Sequence, residues 1–223
     1  MPNWCDTEYF ITGDKQARLR LYMDLMAATS RYAAFKDESD FGTEWFGNLL
    51  LQLGHSKDDI ASVTREMHVR GSIHEFGMRQ DNHGTPGIWM VCSLAWEPNP
   101  LTLQSIIDKH YPGLGFVMLA SEPGGGIYVN TDKNGDFFGT RWEVDYETED
   151  AGCGWEEFDS AEQAAKGLSE LVGMSEDELL AALEGDGSVC GDLDAMEKIR
   201  KAFKAKHPED DSYIDIHYYD EDY

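Results

Sequence analysis

The chain has 223 residues, with 43 Asp and Glu against 18 Lys and Arg, for a formal net charge of −25 at pH 7. That length suits one large domain or a domain with an appendage, and ten Phe, ten Tyr and six Trp supply a real core. The charge argues against unaided nucleic-acid binding, which needs clustered Lys and Arg to displace counterions, and it permits a basic partner steered by long-range attraction.

No apolar run approaches the roughly 20 residues of a membrane helix, and the opening MPNWCDTEYF has no basic stretch followed by an apolar one. Cys5, Cys92, Cys153 and Cys190 are far apart and read as free thiols in a reducing compartment. These features predict a cytoplasmic protein with no membrane association.

In chain order, Trp4 to Ile11 reads as a first strand. Asp14 caps a helix with Leu19, Tyr22, Met23 and Met26 on one face, fading near Ser30. Thr43 is placed to cap a second helix with Trp45, Phe46, Leu49, Leu50 and Leu53 as its apolar side, and Ser56 with Asp59 suggests a short third. These helices read as an insertion over about 31–65. In the second strand, at 66–80, Met67, Val69, Gly71 and Ile73 share a face, but Phe76 and Met78 fall out of phase. A bulge near His74 or Glu75 accounts for the slip. The turn 81–87 makes the second strand a hairpin with a third at 87–97, where Ile88, Met90, Cys92, Leu94 and Trp96 alternate.

Asn99 and Pro100 suit the cap and first position of a helix reaching Tyr111, with Leu103, Ile106 and Ile107 as its core stripe. Phe116 to Ala120 is the next strand. Gly124, Gly125 and Gly126 then allow a conformation or a close approach that a side chain would block. Ile127 and Val129 lead to Asn134-Gly135, a hairpin signal, and Phe138, Trp142, Val144 and Tyr146 alternate in the returning strand. The order predicts an α+β fold: a ferredoxin-like split β-α-β antiparallel sheet over residues 1–147, with the helical insertion and a final hairpin. No cysteine set for an iron–sulfur cluster is present, and no cofactor motif is found.

Residues 148–223 read as an acidic, mainly helical region ending in a short strand. Helices are expected at Ala161 to Val172, at Glu176 to Leu183, and from Asp192 or Asp194 to Pro208. Ser212 to Tyr219 alternates and fits a closing strand at a sheet edge. Charge is concentrated here: residues 1–142 hold 18 acids and 12 bases, whereas residues 143–223 hold 25 acids and 6 bases, a net of −19.

The opening MPNWC, the Trp96-Glu97-Pro98 turn, the Tyr111-Pro112 step and the Ser121-Glu122-Pro123-Gly124 stretch are similar to the YubB ferredoxin-like family, carried largely by phages and plasmids. The resemblance spans about the first two thirds of the chain. It implies a mobile-element origin and the fold already read from the residues. That family supplies no catalytic residues to carry over.

Chemistry is sparse. Asp132, Asn134, Asp136 and Glu143 stand at positions one, three, five and twelve of a calcium-loop pattern, but Phe137 replaces the required Gly, so a plain turn is expected and no metal site. His68 and His74 are six apart across the phase slip and predict no zinc site. The three glycines open no helix and cannot cradle phosphate as a P-loop does. Glu97 and Glu122 are candidates for paired carboxylates at one end of the sheet, with capping and turn roles as the simpler explanation. Two functional readings follow. The first is a non-enzymatic acidic binding protein of a phage or plasmid. It would meet a basic surface of a host nucleic-acid-handling or defence protein through Glu176, Asp177, Glu178, Glu184 and Asp186, with carboxylates imitating DNA phosphates. The alternative is a small enzyme or ligand-binding module at the end lined by Glu97 and Glu122. The oligomeric state is not readable from the sequence.

Overall fold

A computed structural model describes residues 3–30, 41–56, 58, 60, 69–150, 152–184, 193–209 and 211–222. The fold is α+β: among those residues it holds six α-helices and two antiparallel sheets. The chain divides into two compact units, Met1–Asp132 and Lys133–Tyr223.

The first unit runs β1 (Trp4–Gly13), α1 (Lys15–Thr29), a single 3-10 turn (Gly42–Glu44), α2 (Gly47–Gln52), β2 (Gly71–Gln80), β3 (Pro86–Ala95), α3 (Pro100–His110), β4 (Leu114–Glu122) and β5 (Ile127–Asn130). Its sheet has the order β2-β3-β1-β4-β5. Strand β1 lies at the centre, with Tyr9 opposite Met90 on one side and Met118 on the other. One face of the sheet carries Cys5, Tyr9, Ile11, Ile88, Met90, Cys92 and Met118 into a single core. Leu21 and Leu25 of α1 join it, as do Leu103, Ile106 and Ile107 of α3. Asp14 and Asn99 cap α1 and α3 as their sequence positions predict: Asp14 accepts the amides of Gln16 and Ala17, and Asn99 that of Thr102. The β2–β3 register shifts between Ile73 and Glu75, which is the bulge inferred from the phase slip.

Three expectations are corrected in this unit. Helix α1 buries Ala17, Arg18, Leu21, Leu25 and Ala28, while Leu19, Met23 and Met26 are exposed. Apolar residues occur all round this helix, so periodicity alone does not choose the face. Thr43 does not cap α2, because it sits in the 3-10 turn. Trp45 is instead extended, bridges to Ser72 and donates its indole N–H to the Val69 carbonyl at 3.0 Å. The hairpin expected at Asn134-Gly135 does not form either. Strand β5 returns along β4 across the glycine turn, pairing Ser121 with Tyr128. Most of the short helix expected after Ser56 lies outside the described residues, as do residues 31–40 of the insertion.

The second unit contains β6 (Trp142–Thr148), β7 (Gly152–Phe158), α4 (Ala161–Val172), α5 (Glu176–Leu183), α6 (Leu193–Lys206) and β8 (Tyr213–Tyr218). Its sheet has the order β7-β6-β8. The expected boundary at 147/148 therefore falls inside β6, which is the central strand of the second sheet rather than the last of the first. Helices make up most of the regular structure of 148–223, as expected, and the strands of this sheet back them. Trp142, Val144 and Ile214 of the sheet pack with Leu168, Leu179, Leu183, Ile199 and Phe203 of the helices. Helices α4 and α5 have the expected bounds; Ser160 accepts the Gln163 amide, and Ser175 with Glu178 forms a complete capping box. Strand β8 closes the sheet at an edge, as its alternation suggests.

Strand β7 is not expected from the sequence, because GCGWEEF shows no apolar alternation. Across the ladder, Tyr146 lies over Gly154, where an added Cβ would sit 2.1 Å from the ring. The aromatic covers backbone that the glycine leaves bare.

Replacing Asn99 with Ala is expected to cost about 1 kcal/mol of first-unit stability, the usual value of a lost N-cap. Urea denaturation of the variant against the native chain measures it.

Candidate functional site

Glu97 and Glu122 do lie at the same end of the first sheet, where β1 begins and β3 and β4 end. Glu122 is buried, Glu97 half-buried. The Glu122 carboxylate accepts the Gly124 amide at 2.9 Å. A Cβ on Gly125 would stand 2.4 Å from one of its oxygens, and a Cβ on Gly124 2.8 Å from the other. The glycine run is thus explained: the backbone wraps a buried carboxylate that ends β4.

The neighbouring thiol does not make this end reactive. Burial pushes Cys5 up to about 12; its Thr7 hydrogen bond opposes this, and Asp6, Glu122 and Glu97 add to it. A thiol so raised stays protonated and is a poor nucleophile. Trp96, just past β3, has a positive φ of 76° and is 51 % exposed. Its amide donates to the Asn3 carbonyl, which fixes the turn.

The calcium-loop residues have separate partners. Asp132 is buried, and its amide donates to the Asn130 side chain at 2.9 Å. Asn134 donates to Asp136 at 3.3 Å, and buried Glu143 accepts the Tyr219 hydroxyl at 2.5 Å. Among the described residues, no group of three or more His, Cys, Asp or Glu is placed to hold a metal ion. His74, at the bulge, contacts the hydroxyls of Ser72 and Ser93 and lies 3.5 Å from Glu44. His68 lies outside the described residues.

Of the acids assigned to a partner surface, Glu176, Asp177 and Glu178 occupy the first turn of α5 and are exposed, as is Glu184 at its C-cap. Glu178 is engaged in the capping box, which draws its carboxyl below the usual range through Ser175. Asp186 lies outside the described residues.

The sheet of the second unit presents a more ordered charge array. The register places Glu143, Asp145 and Glu147 of β6 on the face away from the helices. Glu157, Trp155 and Cys153 of β7 flank them on one side, and His217, Asp215 and Tyr213 of β8 on the other. Like charges stand directly opposite: Asp145 faces Asp215, and Glu143 faces Glu157. Arg200 binds Asp215 at 2.5 Å and relieves part of that repulsion. Trp155 is 57 % exposed and Tyr213 44 %. The Tyr213 hydroxyl is held above its ordinary range by desolvation, then by Asp145, Cys153, Glu147 and Asp215. His217 is held below its ordinary range because burial outweighs the attraction of Asp215, Glu143 and Asp145. The sequence does not show this face, because the alternation of β6 fits the first sheet equally well and GCGWEEF carries no strand alternation. The alternation of acids at 143, 145 and 147 was the available signal.

A search of protein-family models, of curated proteins and of solved structures finds no match to this chain.

Two outcomes are expected. Gly125→Ala destabilises the first unit, and the loss shrinks when Glu122→Ala is also present; a double-mutant cycle in urea reads the coupling. With its folded value depressed, His217 leaves stability intact above the unfolded imidazole value of about 6.5 and lowers it as pH falls below that, because only the unfolded chain then takes up the proton. Melting curves between pH 8 and pH 5.5 show this fall, and His217→Asn flattens it.

Proposed function

We propose that the chain is a non-enzymatic binding protein whose acidic second unit engages a basic surface of a protein partner. The carboxylate face of β6, β7 and β8 carries this reading. Residues 133–223 hold 26 acids and 8 bases, a net of −18. A purely solubilising charge is served equally well by side chains scattered over loops and helix backs. Opposed like charges in a sheet each cost about 0.2–1 kcal/mol, so their retention here is in line with a use that needs them together. Exposed Trp155 and Tyr213 add rings on which Arg or Lys side chains of a partner can stack.

The first unit serves as scaffold. Its β2-β3-β1-β4 order, with α1 and α3 in one core, supports a ferredoxin-like reading in which β5 is an added edge strand. With the resemblance to the phage and plasmid family, the natural target is a host nucleic-acid-handling or defence protein. Asp145 and Glu147, alternate residues along β6, set carboxylates about 6.8 Å apart, and Glu157 and Asp215 widen this into an anionic patch of the kind such a protein meets on nucleic acid, while Glu143 is buried against Tyr219.

The test compares the native chain with an Asp145→Asn, Glu157→Gln double variant. Melting is measured alongside partner capture from host lysate at low and high salt. The variant is expected to be about 0.5 kcal/mol or more stable, through relief of repulsion, and to lose capture. Native binding is expected to fall steeply with salt, because exposed charges beyond about 8–10 Å are screened. Glu184→Lys, run in parallel, reads whether the exposed α5 acids extend the surface. Unchanged, salt-insensitive capture by the double variant overturns the proposal.

A further inference from the structure

The first unit holds a pair of histidines that neither the fold nor the acidic face accounts for. His55 follows α2 and His110 ends α3; their Nε2 atoms lie 3.1 Å apart and their ring centroids 5.3 Å. Both side chains are half-buried, so water reaches one side of the pair. Each backbone is fixed. The His55 amide donates to the Leu50 carbonyl at 3.1 Å, and Arg20 donates to the His110 carbonyl at 3.4 Å. A small cavity against the pair is lined by Leu50, Thr102, Ser105, Ile106 and Lys109.

We propose that His55 and His110 form a two-nitrogen site for a divalent transition-metal ion of the zinc class, with water completing its coordination. Zinc takes imidazole nitrogen at about 2.0–2.1 Å, and in a tetrahedral shell two such ligands stand roughly 3.3–3.4 Å apart. The observed separation is within a few tenths of an ångström of that edge, so binding asks for little movement.

The pair as it stands shares one proton between facing nitrogens. Both nitrogens become ligands when the donor ring carries its proton on Nδ1 instead of Nε2, so a neutral pair binds without releasing a proton overall. His110 is kept below its ordinary range by burial, then by His55, Lys109 and Arg20, with Asp24 opposing, so the neutral form a metal needs is favoured. Lys109 and Arg20 also repel a cation. The C-terminal end of α3, where His110 sits, attracts one. The ion would tie the segment after α2 to the end of α3, two parts of the chain 55 residues apart in sequence.

Zinc is titrated into the full chain by calorimetry with melting followed in parallel, using calcium and magnesium as controls. The native protein is expected to bind one zinc per chain, to melt higher with it and to ignore calcium and magnesium. His55→Gln and His110→Gln are each expected to weaken zinc by about tenfold or more, while His83→Gln leaves it unchanged. Copper(II) bound to the native chain gives a second readout independent of any variant: its electron paramagnetic resonance should show coupling to two imidazole nitrogens. No saturable zinc binding by the native chain, equal binding by both Gln variants, or a copper spectrum without two nitrogens overturns the assignment.

Discussion

Strand β1 is hydrogen-bonded on both sides, to β3 over Trp4 to Ile11 and to β4 over Asp6 to Gly13, and the first unit depends on that double pairing. With a side-chain period of two, a one-residue slip of β1 would turn Cys5, Tyr9 and Ile11 away from the helices and bring Asp6 and Glu8 into the core. The register is therefore enforced twice, by burial on one face and by charge on the other. At its end, the backbone of Gly13 approaches Gly113 so closely that a Cβ would meet the Gly113 carbonyl at 2.2 Å. That contact sets where α1 starts and where α3 hands over to β4, because the Asp14 amide donates to the same carbonyl.

Local signals made most of this legible. Caps at Asp14, Asn99, Ser160 and Ser175 are short-range chemistry, and each one in the sequence marks a helix start in the structure. The bulge at His74 was readable because two apolar alternations out of phase need one extra residue between them. Non-local choices were not readable. Whether Trp142 to Tyr146 returns along β5 or seeds another sheet depends on whether GCGWEEF and the distant Tyr213–Tyr218 take strand form beside it, and Asn134-Gly135 forms a turn in either case. The three glycines were seen to permit a close approach, but only the fold reveals that the approaching group is the carboxylate of Glu122. Likewise, nothing in the sequence joins His55 to His110, since their encounter needs α2 and α3 to share a core.

Charge acts differently in the two units. In the first, Asp6 and Glu8 have local partners: Glu8 accepts the Trp89 indole N–H at 2.5 Å and Asp6 the Ser93 hydroxyl at 2.8 Å. Such carboxylates are part of the scaffold. In the second, Asp145 and Asp215 oppose each other, and Arg200 pairs with Asp215. A protein selected for stability alone would be expected to relax that arrangement by a single Asp to Asn change, which makes its presence informative about use.

The three-stranded sheet of the second unit has a further property. Among the described residues no further strand pairs with β7 or β8, so both are sheet edges, the kind of template on which another chain can stack. The carboxylates on its face keep identical copies from docking there, since each added strand would bring its own row of negative charge into register. The residues proposed to meet a basic partner are thus also the ones whose like charge opposes stacking of one copy on another.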